Sequence, residues 1–182
     1  MRTHSSSLVL AALLTLVGCA TEEEARGAEG AERTAEAEAL EQRQPPANIF
    51  GCRTPNIAIR TANGSYLVAE NGGASIIAAT RTQVGAWETF AVAEQAYGRI
   101  SLMAVNSKYV AAERGGGAAL VANRDAVGPW ETFDLARNLV DDTWSFRANN
   151  GQWLAAENGG GGAVNANRNT IGTNEAFEVI CR

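Results

Sequence analysis

Histidine and cysteine are scarce in this chain: its 182 residues include one histidine, His4, and three cysteines. Ser-His and Cys-His catalytic pairs and histidine-ligated metal sites all need histidine, so the sequence after His4 cannot build them. No Walker-type phosphate loop is present, and the glycine run 159–162 is typical of a hairpin turn and not of a strand-to-helix junction. We therefore expect neither a metal nor a cofactor.

Long apolar runs are also lacking, with one exception near the N-terminus. That run, LVLAALLTLV, follows Arg2 and His4 and is too short to span a bilayer as an ordinary helix. Its last two residues and the two that follow it read Leu-Val-Gly-Cys, which resembles the lipobox of bacterial lipoproteins. The resemblance implies a signal peptide over 1–18 and an acylated Cys19 as lipid anchor. An ordinary signal with an incidental cysteine is the alternative.

Excess charge of one sign is confined to the segment after Cys19. In the predicted tether, residues 19–49, the stretch 21–46 contains eight glutamates, three arginines and a single large apolar residue, Leu40. Such a segment cannot bury enough surface to offset its chain entropy, so we interpret it as a disordered acidic tether. Residues 50–182 carry eleven Lys and Arg against twelve Asp and Glu. This near-neutral domain lacks the basic footprint that nucleic-acid binding requires.

The two remaining cysteines lie at the ends of this domain, at Cys52 and Cys181. In an oxidising compartment they are most simply a disulfide, although two free thiols remain the alternative. In the chain-entropy model a loop this long stabilises the fold by roughly 4–5 kcal/mol.

Three copies of one unit fill the domain, at about 52–96, 97–140 and 141–182. Four positions recur at steps of 43 or 44 residues. They are an aromatic residue (Tyr66, Tyr109 and Trp153), a glutamate (Glu70, Glu113 and Glu157), an arginine (Arg81, Arg124 and Arg168) and a phenylalanine (Phe90, Phe133 and Phe177). Period-two alternation and Asn-Gly turns predict four strands per unit and no helix. Three equal units with joined ends favour an all-β, pseudo-three-fold β-trefoil, with a two-sheet sandwich as the alternative.

The motif W-E-x-F opens the predicted fourth strand of each unit, as AWETF, PWETF and TNEAF. Strand alternation places the phenylalanines and Glu88, Glu131 and Glu175 inward, and Trp87 and Trp130 outward. The inward glutamates need partners, for which the recurring arginines are the candidates. Trp144 and Trp153 replace Ile and Tyr of the other units, so we expect core and strand packing for them. The third unit has Asn174 where tryptophan stands elsewhere.

A second row of glutamates ends the second strand of each unit. By parity Glu70, Glu113 and Glu157 face outward, on the same side as the tryptophans. They are either ligand contacts or solvated hairpin charges, and the Glu88 row is likewise either a ligand contact or an arginine-paired brace.

The repeat Y-L-x-A-E-N-G-G, A-N-R, G-x-W-E-x-F resembles that of bacterial fascin-like β-trefoils, and is most similar to carbohydrate-binding modules of family 92. This implies non-catalytic binding of β-1,3- or β-1,6-linked glucans, with up to one site per unit built on a tryptophan and a glutamate. The expected sites are Trp87, Glu88 and Glu70; Trp130, Glu131 and Glu113; and a weaker third of Asn174, Glu175 and Glu157. Because the carboxylates come in triplicate, a single asymmetric active site is not expected.

The whole chain is thus expected to be a monomeric outer-membrane lipoprotein, facing the periplasm or the cell surface, that binds polysaccharide and contacts the bilayer through Cys19. Two other functions stay open. One is a protein-interaction or protease-inhibitor trefoil that uses its loops, and the other is a glycoside hydrolase.

Overall fold

Twelve short strands form the part of the chain that the computed structural model describes, residues 47–182. The predicted signal peptide 1–18, Cys19 and the predicted tether up to residue 46 lie outside the described residues. The strands are β1 Asn56–Arg60, β2 Tyr66–Ala69, β3 Ile77–Arg81, β4 Phe90–Gln95, β5 Arg99–Met103, β6 Tyr109–Ala112, β7 Leu120–Arg124, β8 Asp134–Asn138, β9 Thr143–Arg147, β10 Trp153–Ala156, β11 Val164–Arg168 and β12 Glu178–Cys181. Each predicted unit therefore has its four strands, and the third strand ends at the recurring arginine.

Helical structure within residues 47–182 is limited to 3-10 turns of three residues, with no α-helix. They are Glu70–Gly72, Ala96–Gly98, Glu113–Gly115, Pro129–Glu131, Glu157–Gly159 and Thr173–Glu175. In this part of the chain no helix is long and apolar enough to cross a membrane.

Six strands close into a barrel. Antiparallel pairs join β12 to β1, β1 to β4, β4 to β5, and β8 to β9. Two isolated bridges complete the circle, Ile100 with Phe133 between β5 and β8, and Trp144 with Phe177 between β9 and β12. Closure satisfies strand edges that would otherwise be exposed to pairing with other chains.

The other six strands form three hairpins, β2–β3, β6–β7 and β10–β11, one from each unit. Each hairpin bridges to the other two, through Ile76 with Val121, Ala78 with Ala163, and Ala119 with Asn165. This mutual contact places an approximate three-fold axis between the hairpins, as the three equal units predict.

The core lies inside the barrel and under the hairpins. Phe90, Phe133 and Phe177 are fully buried there, as predicted. Trp144 packs only against the margin of this core: it is partly buried, and its ring centre is 4.8 Å from that of Phe50 in an edge-on contact. Trp153 is half-buried on β10, with the Arg147 guanidinium carbon 5.7 Å from its ring centre.

The ends of the domain are joined by a disulfide between Cys52 and Cys181, whose Cα atoms are 5.4 Å apart. This confirms the predicted bridge. It adjoins the β1–β12 pairing, in which Ile57 lies opposite Cys181, and so links the first unit to the third where the barrel closes.

The W-E-x-F motif differs from its prediction. The fourth strand begins at Phe90 in the first unit, and at Asp134 and Glu178 in the others. The tryptophan and glutamate therefore lie in a turn before the strand, and in the second unit this is the 3-10 turn Pro129–Glu131. Alternation along a strand cannot be the reason that these two side chains point in different directions.

Candidate functional site

Each unit gathers its recurring polar residues around one arginine. The guanidinium of Arg81 lies between two carboxylates: its Nη2 is 2.8 Å from Glu70 Oε2, and its Nε is 4.0 Å from Glu88 Oε1. The corresponding distances around Arg124 are 2.7 and 3.5 Å, and around Arg168 they are 2.6 and 3.7 Å. The pairing of arginine with the Glu88 row is therefore present, but the shorter ion pair is with the other row, which the sequence did not predict.

The inner row of carboxylates, Glu88, Glu131 and Glu175, caps backbone. One oxygen of each accepts a hydrogen bond from the N–H of the glycine three residues earlier, at 2.8, 2.8 and 2.7 Å. This is half of a capping box, in which the third residue of a turn reaches back to the residue that begins it. Only 9%, 7% and 6% of these side chains is exposed. Little of the inner row is open to a ligand.

The outer row of carboxylates, Glu70, Glu113 and Glu157, is more open, with 27%, 28% and 31% of the side chains exposed. Each glutamate begins a 3-10 turn directly after the second strand of its unit. An ionised carboxylate paired with an arginine still has lone pairs that can accept hydroxyl hydrogens, while the guanidinium keeps N–H donors. Such a pair suits a ligand rich in hydroxyl groups.

The two tryptophans lie against these turns. Trp87 is 40% exposed and Trp130 is 39% exposed, in agreement with their predicted outward direction. A methyl group placed on Gly72 would lie 3.6 Å from the indole nitrogen of Trp87, and one on Gly115 would lie 3.7 Å from that of Trp130. Each indole is therefore next to the turn that its outer glutamate begins, and leaves part of its surface to solvent.

The third unit has Asn174 in the place of the indole. Its Oδ1 lies 3.9 Å from where a methyl group on Gly159 would be. Besides its ion pair, Glu157 accepts hydrogen bonds from two asparagines, Asn165 at 3.4 Å and Asn167 at 3.2 Å, whereas the outer carboxylate of each other unit accepts one hydrogen bond besides its ion pair. This site keeps the charges of the others but has no apolar platform.

Every site is completed by the first hairpin of the next unit. The N–H of Asn106 donates to the carbonyl of Gly72 at 3.2 Å, and Asn150 and Asn63 do the same to Gly115 and Gly159 at 2.9 and 3.1 Å. The approach is close. A Cβ on Gly73 would clash with Asn106 Nδ2, and the φ of +133° at this position also favours glycine. The sites are therefore junctions between units.

Grooves on the barrel side differ between units. Beside the third site is an open groove of about 780 Å³, lined by Arg60, Arg137, Thr143 and Glu178 among others. The groove in the corresponding place beside the first site is about 400 Å³ and is lined partly by Gly85 and Val105. No group of three or more potential metal-ligating His, Cys, Asp or Glu residues occurs within residues 47–182.

The fold agrees with solved structures of low sequence identity. The designed three-fold symmetric protein ThreeFoil matches with a TM-score of 0.63 at 19% identity, over 70% of this chain and 99% of its own. The domain is a β-trefoil. The Rhizoctonia solani agglutinin matches with a TM-score of 0.59 at 16% identity, over 71% of this chain and 96% of its own.

A lectin of Polyporus squamosus also matches the trefoil, with a TM-score of 0.59 at 16% identity over 69% of this chain, and this chain spans about half of that lectin, 48%. A family model described as a domain of unknown function, DUF7910, matches residues 98–182. None of the curated proteins compared with the sequence matches it.

The residues that sequence reasoning missed come from the neighbouring unit of the trefoil. Ala62, Val105 and Asn149 precede the hairpin asparagines and border the three sites. The repeats do carry a signal for them, because this position varies while the asparagine after it is constant. Their meeting with the tryptophan of the preceding unit depends on the three-fold packing, which no single repeat encodes.

Proposed function

We propose that this β-trefoil binds carbohydrate without hydrolysing it, through two principal sites built on Trp87 and Trp130. The observation that carries the proposal is the repeated placement of a half-exposed indole against a turn that begins with a partly exposed, arginine-paired glutamate. The apolar face of a pyranose ring stacks on an aromatic ring, while a few fixed polar groups bind its hydroxyls.

The outer carboxylates are the better polar partners in this proposal. Glu70 has about three times the exposed fraction of Glu88, and Glu113 about four times that of Glu131. One oxygen of each inner glutamate already accepts a backbone N–H bond. We therefore assign direct sugar contact to Glu70 and Glu113, and assign the inner row to holding the turn that carries each tryptophan. The third site, with Asn174, Glu175 and Glu157, would bind weakly.

Binding without hydrolysis fits the repetition of the carboxylates. Glycoside hydrolysis uses one pair of carboxyl groups held in different environments, so that one donates a proton while the other is ionised. Here every unit repeats one arrangement, an arginine between an outer and an inner carboxylate, so no unit stands apart as a single asymmetric site. Such an arrangement suits multivalent binding.

The ligand class is proposed from two likenesses. Lectins of Polyporus squamosus and Rhizoctonia solani share the fold, the former described in complex with a human-type influenza-binding epitope. The resemblance of the repeat to family 92 modules narrows the proposal to β-glucan-like polysaccharide. Two or more weak sites on one domain gain apparent affinity only on a polymer that can occupy them together.

The cellular setting is proposed from the first 49 residues. A lipobox-like Cys19 followed by an acidic tether would hold the trefoil on a membrane, and Ala20 after the cysteine favours the outer membrane by resemblance to familiar lipoproteins. We propose a monomer that faces the periplasm or the cell surface.

Retention on insoluble β-glucan tests the function. The protein and its Trp87→Ala, Trp130→Ala and double variants would be incubated with the polymer, and the unbound fraction measured over a range of polymer concentrations. We expect each single variant to bind more weakly and the double variant to be lost from the polymer.

The matched control is Tyr97→Ala, which removes an aromatic ring that is 94% exposed but lies in the 3-10 turn Ala96–Gly98, between β4 and β5, and belongs to none of the proposed sites. It should bind like the unaltered protein. Equal retention of the double variant and the control would contradict the proposed sites. Reducing sugar released from the polymer would contradict binding without hydrolysis.

A further inference from the structure

The residue before the hairpin asparagine gives each junction a different border. At the first site, a methyl group placed on Gly72 would lie 3.1 Å from Val105 Cγ1 and 3.6 Å from the Trp87 indole nitrogen. At the second site, a methyl group placed on Gly115 would lie 3.7 Å from both Asn149 Nδ2 and the Trp130 indole nitrogen. A valine and an asparagine thus take equivalent places beside the two tryptophans.

Both side chains are available to a ligand. Val105 is 54% exposed, and Asn149 is also exposed. Their backbone is held in place, because the next residue along each hairpin donates an N–H bond to the glycine carbonyl of the site. A sugar that stacks on the indole and reaches toward the hairpin would meet an apolar group at one site and an amide at the other.

We propose that the residue before the hairpin asparagine, Val105 at the first site and Asn149 at the second, makes the two tryptophan sites selective for sugars that present different groups along the edge of the ring. This inference rests on the proposed carbohydrate-binding function. Asn149 binds an edge that carries a hydroxyl group, since its amide offers both a donor and an acceptor. Val105 contacts an edge by apolar surface alone, so that its site accepts a sugar in which that hydroxyl is absent. One domain would then hold two kinds of sugar unit.

The size of the difference follows from the asymmetry of polar recognition. A site built to hydrogen-bond a hydroxyl discriminates against the ligand that lacks it, whereas an apolar site does not discriminate strongly against small changes. Because Asn149 is exposed and can return to water, we expect a loss of about fivefold in affinity, as for one ordinary hydrogen bond.

The test separates the sites and then exchanges the two side chains. Trp87→Ala leaves the second site, and Trp130→Ala leaves the first. Each variant would be titrated by calorimetry with a β-linked glucose disaccharide and with its set of monodeoxy analogues. We expect the second site to bind one analogue about fivefold more weakly than the parent disaccharide, and the first site to bind that analogue within about twofold of the parent.

Exchange then assigns the effect to the hairpin residue. Asn149→Val in the Trp87→Ala background should remove the sensitivity to that analogue, and Val105→Asn in the Trp130→Ala background should create it. Both substitutions are at exposed turn positions, and unchanged thermal unfolding would verify the fold. Matching profiles at the two sites, or profiles that do not move with the exchange, would overturn this inference while the proposed function stands. Absence of disaccharide and polymer binding by both tryptophan variants and by the unaltered protein would overturn the two together.

Discussion

In the second unit of the trefoil Trp130 stands beside Gly115, and in the third unit Asn174 stands in the same place beside Gly159. Around this exchange the inner glutamates of the two units make the same contacts. Glu131 and Glu175 cap Gly128 and Gly172 at 2.8 and 2.7 Å, and each also approaches the arginine of its unit.

The comparison separates what the fold requires from what we assign to a ligand. The buried phenylalanine, the inner glutamate and the arginine are retained, because removing any of them would leave a cavity or an unpaired buried charge. The half-exposed indole can be lost, since Asn174 replaces it in the third unit and the capped turn is kept. W-E-x-F is thus two elements, a framework and a separable surface residue.

The largest expected effect comes from the shared phenylalanine. Phe133→Ala and Phe177→Ala should each lower the free energy of unfolding by about 3–5 kcal/mol, because both rings are fully buried and leave a cavity. Urea denaturation of the two variants measures this. A markedly smaller loss for Phe177→Ala would mean that the third unit has a weaker framework as well as a different surface.

The inner glutamates should give a smaller but equal effect. Glu131→Ala and Glu175→Ala each leave a backbone N–H without its acceptor and remove one of two carboxylates from an arginine, and we expect a loss of about 1–3 kcal/mol in each case. Unfolding experiments on the pair would show values within about 0.5 kcal/mol of each other. Glutamine at either position keeps an acceptor oxygen and should recover part of the loss.

The exchanged residues should differ in binding and not in stability. Trp130→Ala should weaken retention on β-glucan by about tenfold, since burial of part of an indole face contributes roughly 1–2 kcal/mol. Asn174→Ala, the matched change in the third unit, should leave retention within about twofold. Parallel depletion assays on the two variants compare them, and equal losses would contradict the division of the motif.

The smallest expected effect is a gain. Asn174→Trp would place an indole beside Gly159 and the outer Glu157, and should raise apparent affinity for the polymer by about threefold through a third site. The control is Asn174→Leu, which adds apolar bulk without a flat ring and should give no gain. If both substitutions leave retention unchanged, an indole in this position does not make a site, which contradicts the assignment of the tryptophan as a separable binding element.

Much of the framework could be predicted from particular residues. The spacing of Phe90, Phe133 and Phe177 indicated three units, and all three rings are buried. Asn-Gly turns and period-two runs placed the strands, and the position of the two terminal cysteines indicated the disulfide that is present. These are local patterns, or patterns repeated three times, and repetition makes a weak local signal specific.

The candidate site could be predicted only in part. The outward direction of Trp87 and Trp130 was right, but its basis in strand alternation was wrong, because both lie in a turn before the strand. The inner glutamates are buried, and each accepts a hydrogen bond from the backbone N–H three residues earlier. Their inward direction follows from the geometry of this turn and not from alternation along a strand. The shorter ion pair of each arginine, eleven residues back along the chain, was likewise not foreseen.

By itself the sequence determined the number of units, the four strands of each, the buried phenylalanines and the placing of one cysteine at each end of the domain. These depend on periodicity and on residue chemistry, which act along the chain. Tertiary structure alone decided that Arg81 joins two glutamates, that Gly73 must leave room for Asn106, and that Val105 and Asn149 border the tryptophans of the preceding unit. These contacts arise where different units pack around a common axis, so no local pattern within one unit specifies them.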